Sequence, residues 1–210
     1  MNYLIAAVLI SQINFEPTGA GQSATMVRNY VGQYKISSSY YGSGAFIYAD
    51  KDKNECYVLT AKHTLKTPNG ITTVKTVNNE ELGGTIIYTD NELDFAIIKT
   101  YYPKNNFTYL KISNDNYPNK KAIFHGFAPG VYWNRTVDPV FNKSNKFIGV
   151  ISYKGSFSCN GDSGAAIVCD DAIVGIVVGN FDDRISIVES QKILNNIMLY
   201  NNKLFNKIKN

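Results

Sequence analysis

The chain has little cysteine, histidine, tryptophan or proline, and no long hydrophobic run. Its cysteines are three, Cys56, Cys159 and Cys169. An odd count cannot pair fully within one chain, so at most one disulfide can form and a disulfide scaffold is excluded. The cysteines also lack metal-ligand spacing, so no metal is expected to be bound. No apolar segment is long enough to span a membrane as a helix, so stable membrane insertion is not expected. Charged residues are 18% of the chain, with a net charge of +4. The lysines are scattered and gather only at the C-terminus, which gives no basic stripe for nucleic acid.

What is present points to β-structure. There are 15 Tyr and 11 Phe residues, and hydrophobic residues make up 44% of the 210 positions, enough for a sizeable core. Aromatic and β-branched runs recur at short intervals between turn residues. The N-terminal run from Tyr3 to Ile10 is apolar but short. It reads equally as the core of a secretory signal, with Thr18-Gly19-Ala20 as the cleavage site, or as a buried strand. Residues 1–40 as a whole read as this apolar segment followed by an irregular arm.

From Tyr41 onward, strand-like runs are expected at Ala45–Tyr48, Cys56–Ala61, Ile71–Val77, Thr85–Tyr88 and Asp94–Ile98. They form a first small β-barrel over residues 41–112, with Gly83-Gly84 as a break before Thr85. Ser113 to Lys120 reads as the linker. A second series follows over residues 113–189, including Ala122–Gly126, Ala165–Cys169, Ala172–Val178 and Ile185–Val188. Over 190–210 the spacing of Ile193, Leu194, Ile197, Met198 and Leu204 predicts one helix, with Ser190 as its cap. Lys203, Lys207 and Lys209 read as its solvated end.

The most informative stretch is Cys159-Asn160-Gly161-Asp162-Ser163-Gly164. Glycines bracket the pair Asp162-Ser163 and permit a sharp turn that presents the Ser163 hydroxyl. The backbone N–H groups of Gly161 and Ser163 can converge there as an oxyanion hole. A serine hydroxyl is a weak nucleophile and needs a base, and that base needs an orienting acid. His63, one of two histidines, ends the run Leu59-Thr60-Ala61-Lys62-His63. Asp94 opens the apolar run Phe95–Ile98, where a carboxylate is costly unless it is paired. Its neighbours Asp90 and Glu92 read as solvated turn residues, and Asp162 as a locally bonded one. The other histidine, His125, reads as structural.

These segments resemble the trypsin-like (chymotrypsin-fold) serine peptidases. The resemblance is carried by Gly161-Asp162-Ser163-Gly164, Thr60-Ala61-Lys62-His63, Gly42-Ser43-Gly44 and Asp94-Phe95-Ala96. The order His63, Asp94, Ser163 is that family's order, and the compact spacing resembles bacterial HtrA-like and viral members more than digestive ones. The resemblance implies an all-β fold of two antiparallel six-stranded β-barrels with a C-terminal helix. It implies a catalytic triad of His63, Asp94 and Ser163, an oxyanion hole at Gly161 and Ser163, and no cofactor. Protein or peptide substrates would bind a pocket of Phe157, Ser158, Val177, Val178 and Gly179, with an uncharged apolar residue before the cut. The alternative is an inactive relative that binds proteins in the same cleft. Location follows the N-terminus: secreted if residues 1–20 are a signal, otherwise cytoplasmic or in a host cell.

Overall fold

The computed structural model describes residues 22–28, 41–65, 70–114, 122–127, 132–137, 139–140, 149–152, 161–181 and 184–209. Cys159, Phe157, Ser158 and the apolar N-terminal run lie outside these residues. The fold is all-β, finished by two short helices. Six strands close an antiparallel barrel in the order β1 (Ala24–Arg28), β2 (Tyr41–Asp50), β3 (Glu55–Ala61), β6 (Phe95–Thr100), β5 (Glu81–Asp90) and β4 (Ile71–Thr76).

Strand β1 lies within the stretch expected to be an irregular arm. It pairs with β2 on one edge and β4 on the other, and so closes the barrel. It is five residues long, Ala-Thr-Met-Val-Arg, with no clean apolar–polar alternation, which hides it from pattern reading. Gly83-Gly84 is likewise not a break, because both lie inside β5. A Cβ at Gly84 would come within 2.6 Å of Ile98 Cγ2, so the glycine marks a tight strand-to-strand approach.

The central strands are apolar on both faces because both are covered. In β3, Cys56 and Val58 face the barrel interior with Val27, Phe46, Val74, Leu82 and Ile98. Tyr57 and Leu59 face a second core shared with the other half of the chain and with the helices. A strand buried on both sides loses the apolar–polar alternation of a half-exposed one. Each large side chain buried this way contributes about 1.5–3 kcal/mol.

The second half is an eight-stranded sheet. Its path runs β10 (Pro139–Val140), β11 (Gly149–Ser152), β14 (Arg184–Glu189), β13 (Ala172–Phe181), β12 (Ala166–Cys169), β8 (Ala122–Phe127) and β9 (Tyr132–Val137). The eighth strand, β7 (Lys111–Ile112), pairs in parallel with the start of β13. This differs from the expected six-stranded antiparallel barrel: among the described strands β9 and β10 are sheet edges, and β7 adds a parallel member. Leu110 N–H donates to Phe46 O (2.9 Å) and Ser113 N–H to Ile173 O (2.8 Å). The end of the first half is thereby stitched to both sheets. Cys56 and Cys169 are free thiols in separate cores, and burial pushes the Cys56 thiol up to about 12.

Two helices replace the expected single one: α1 (Ser190–Tyr200) and α2 (Asn202–Ile208). Ser190 is already helical, and Glu189, the last residue of β14, occupies the cap position without a side-chain bond. The break falls at Asn201, whose side chain accepts from Leu204 N–H at 3.1 Å and so caps α2. Met198 is half exposed, while Leu204 and Ile208 of α2 are buried.

Lys207 is not part of a solvated end. Its ammonium donates to Glu55 Oε1 (2.6 Å) and Tyr57 Oη (2.8 Å) on β3. Lys99 of β6 pairs with the other oxygen of Glu55. Burial pushes the Glu55 carboxyl up, but the bonds from Lys207, Lys99 and Tyr57 outweigh it and hold the group at about 2. The C-terminal helix is thus pinned to the first barrel by a charge-assisted cluster, the stronger kind of hydrogen bond.

Candidate active site

His63 lies in a single 3₁₀ turn, Lys62–Thr64, that follows β3 directly. The first N–H groups of such a turn have no partner within it. Asp94 supplies partners. Its carbonyl accepts from Lys62 N–H at 2.9 Å, and its Oδ1 accepts from His63 N–H at 2.9 Å. Its Oδ2 lies 2.5 Å from His63 Nδ1. Asp94 therefore grips the histidine at both its backbone and its ring. An ionised carboxylate only accepts, so Nδ1 carries the ring proton and Nε2 keeps its lone pair.

Asp94 is placed by the hairpin between β5 and β6. Asp90 pairs with Phe95 across that hairpin, leaving residues 91–94 as its loop. Asp94 itself has φ 58°, a left-handed conformation that Asp and Asn tolerate better than most residues. Asp90 is not a solvated turn residue. It is half-buried, and its Oδ1 accepts from Leu93 N–H at 2.6 Å.

The Ser163 loop enters from the second half and is held against the first barrel by Ser43. Ser43 N–H donates to Ser163 O and Ser43 Oγ donates to Gly161 O, each at 2.7 Å. The same hydroxyl oxygen accepts from Phe127 N–H at 2.7 Å. Thr60 Oγ1 in turn donates to Ser43 O at 2.7 Å. In the sequence, Ser43 stands out only as part of the Gly42-Ser43-Gly44 run. That motif is the signal for its role, but only the fold shows that its partners in the serine loop lie over a hundred residues away.

Within the loop, Gly161 and Gly164 have φ 116° and 88°, as expected for glycines that bracket a sharp turn. Gly164 N–H donates to Val177 O (2.6 Å), and Ala165 N–H to Asp162 O (2.8 Å). The N–H groups of Gly161 and Ser163 donate to no other described residue. Asp162 is buried and Ser163 half-exposed. The loop thus packs on the end of β3, with Gly164 seated on Thr60 and Ala61.

Of the expected pocket residues, Val177 is buried in the core of the second sheet with Phe124, Ile167 and Ile187. Its N–H donates to Ala165 O at 3.0 Å. Val178 and Gly179 are half-exposed beyond it. Among the described residues, no group of three or more His, Cys, Asp or Glu side chains gathers as a metal site, and no helix is long and apolar enough to cross a membrane.

His125 stands opposite Ala166 in the pairing of β8 with β12 and is 5% exposed. Burial pushes its imidazole down from the ordinary 6.5 to about 4. The folded protein therefore keeps His125 neutral where an unfolded chain would protonate it. Its contribution to stability is full above pH 6.5 and is lost as the pH falls towards 4, a difference of about 3 kcal/mol. Denaturant unfolding measured across this window should show that loss, and His125→Gln should flatten it. Parallel curves for the two proteins would assign the acid sensitivity elsewhere.

No curated protein sequence matches the chain. Among solved structures, it is similar to the serine endoprotease from Yersinia pestis, with a TM-score of 0.65 at 19% identity. That alignment covers 90% of this chain and 64% of the Yersinia protein, so the chain spans about two-thirds of that relative's length. It is also similar to the active form of the Rv3671c protease from M. tuberculosis, with a TM-score of 0.65 at 15% identity, covering 85% of this chain and 80% of that one. At these identities the likeness is one of fold. The family model of the trypsin-like peptidase domain matches residues 42–179, a span that holds His63, Asp94 and Ser163 together. With the larger part of its length matched in this way, the chain belongs to the trypsin-like peptidase domain family.

Proposed function

We propose that the chain is a serine endopeptidase acting on protein or peptide substrates through His63, Asp94 and Ser163. The observation that carries this reading is the two-point grip of Asp94 on His63, beside a glycine-turned serine loop docked on the same barrel edge. Ser163 Oγ attacks the scissile carbonyl carbon and its proton passes to His63 Nε2. The oxyanion forms where the N–H groups of Gly161 and Ser163 can receive it, each such donor being worth about 3 kcal/mol in the transition state. The intermediate collapses, His63 gives its proton to the leaving amine, and an acyl-Ser163 ester remains. Water, deprotonated by the same imidazole, then releases the acid. Asp94 stays ionised throughout, holding the ring and stabilising its cationic form.

The substrate pocket is read as apolar, with Phe157, Ser158, Val177, Val178 and Gly179 around it. In support, no charged residue stands between Ala172 and Gly179. An uncharged apolar side chain before the cut is the preference that follows. A fluorophosphonate probe tests the whole proposal, since it forms its covalent bond only with an activated serine. The protein should label and Ser163→Ala should not. An unlabelled protein would instead fit a binding module built on the same fold. Peptide-library cleavage reads the pocket, and a strong Arg or Lys preference would overturn the apolar assignment.

A further inference from the structure

Helix α1 reaches back across the molecule to the hairpin that carries Asp94. Asn196, in the middle of α1, donates from Nδ2 to Asp90 Oδ2 at 2.9 Å, a contact between residues 106 apart in sequence. Its Oδ1 accepts from the Tyr88 hydroxyl of β5. Both ends of the amide are thus used, which fixes its orientation. Asp90 is divided in the same way: Oδ2 faces Asn196, and Oδ1 holds Leu93 N–H at 2.6 Å. Leu93 is the residue before Asp94. The backdrop is rigid, because Tyr88 stacks on Phe95 with ring centroids 5.6 Å apart. Ile193 and Ile197 of α1 pack in the same core as Phe95 and Ile97.

We propose that Asn196 and Asp90 are positioning residues for the His63–Asp94 pair. Resting on the peptidase reading above, the inference gives helix α1 a part in positioning that pair. The physical reason lies in the left-handed φ of Asp94. A residue in this region relaxes to commoner backbone angles unless its surroundings over-determine it. The Leu93 N–H bond to Asp90 closes the loop locally, and Asn196 holds the Asp90 carboxylate in the orientation that makes this bond. If the loop relaxes, the Asp94 carboxylate turns away from one of its two contacts on His63. Misplacement of about 1 Å in a catalytic group can cost on the order of a hundredfold in rate.

The test reverses the polarity of the contact. Asn196→Asp sets a carboxylate against Asp90 and should lower kcat by about tenfold or more with KM unchanged, the pattern of a group acting in the transition state only. The double variant Asp90→Asn/Asn196→Asp restores one donor facing one acceptor while leaving an acceptor for Leu93 N–H. It should recover kcat to within about threefold of the wild type. Asn196→Ala, which adds no charge, should lower kcat in the same direction. The proton NMR resonance of His63 Nδ1–H should shift in both single variants and return in the double one. Wild-type kcat and an unmoved resonance in both single variants would overturn the inference, as would a double variant no better than Asn196→Asp. If the wild type fails to label with fluorophosphonate, the peptidase reading fails by itself, and the resonance still decides whether Asn196 positions His63.

Discussion

Asp94→Asn should leave the protein folded and lower kcat by about ten thousandfold. Asparagine is among the few residues that tolerate the left-handed φ of 58° found here, so the backbone of the hairpin loop is not strained by the change. The chemistry is altered, however. The carboxylate now accepts twice, from His63 N–H at one oxygen and from the ring at the other. An amide has one acceptor. If its oxygen keeps His63 N–H, its NH₂ faces Nδ1 and must donate there, which moves the ring proton to Nε2. An imidazole protonated at Nε2 cannot take the Ser163 proton. The measurement is kcat/KM on a peptide substrate together with the rate of fluorophosphonate labelling, with a thermal melt as the folding control. Labelling at the wild-type rate would remove Asp94 from the mechanism.

The second large effect is structural in origin and catalytic in consequence. Gly164→Ala should both lower the melting temperature and abolish labelling of Ser163. A Cβ at Gly164 would stand 2.1 Å from Ser43 O, 2.5 Å from Thr60 Oγ1 and 2.8 Å from Ala61 N. Two of the three are backbone atoms of the first barrel, which cannot swing aside like the end of a long side chain. The φ of 88° adds strain for any residue with a Cβ. Together these cost on the order of 3 kcal/mol or more, a large share of the ~5–15 kcal/mol that holds a domain together. The cheapest relief is for the loop to lift off the barrel, which breaks the bonds from Ser43 to Ser163 and Gly161 and moves the serine away from the end of β3. Gly83→Ala is the matched control, since a Cβ there meets nothing within 4 Å. Unaltered labelling in Gly164→Ala would show that the loop does not need this close seat.

Much of the fold was legible where pattern and chemistry agreed. The strands around Val58, Ile97, Ile167 and Ile176 announce themselves because runs of β-branched and aromatic residues bounded by turns have few other uses. Strand β1 did not, because a short strand that closes a barrel draws its stability from pairing on both edges rather than from its own pattern. The two-helix end was missed for a related reason. The apolar spacing continues across Asn201, and only the cap that its side chain makes with Leu204 N–H shows where one helix stops and the next begins.

The sequence by itself determined the residue types of the candidate site and their order along the chain. A glycine-bracketed serine, a strand-ending histidine and an aspartate before an apolar run each carry a local signature, because the backbone turn or burial that each needs is set by its immediate neighbours. The tertiary structure alone decided what those residues touch. That Ser43 ties down the Ser163 loop, that Lys207 finds Glu55 and that Asn196 holds Asp90 are contacts across 106 to 152 positions. Such contacts have no periodicity and no fixed spacing. They depend on where two sheets and a helix come to rest, and that is set by burial of the shared core rather than by any residue in the contact.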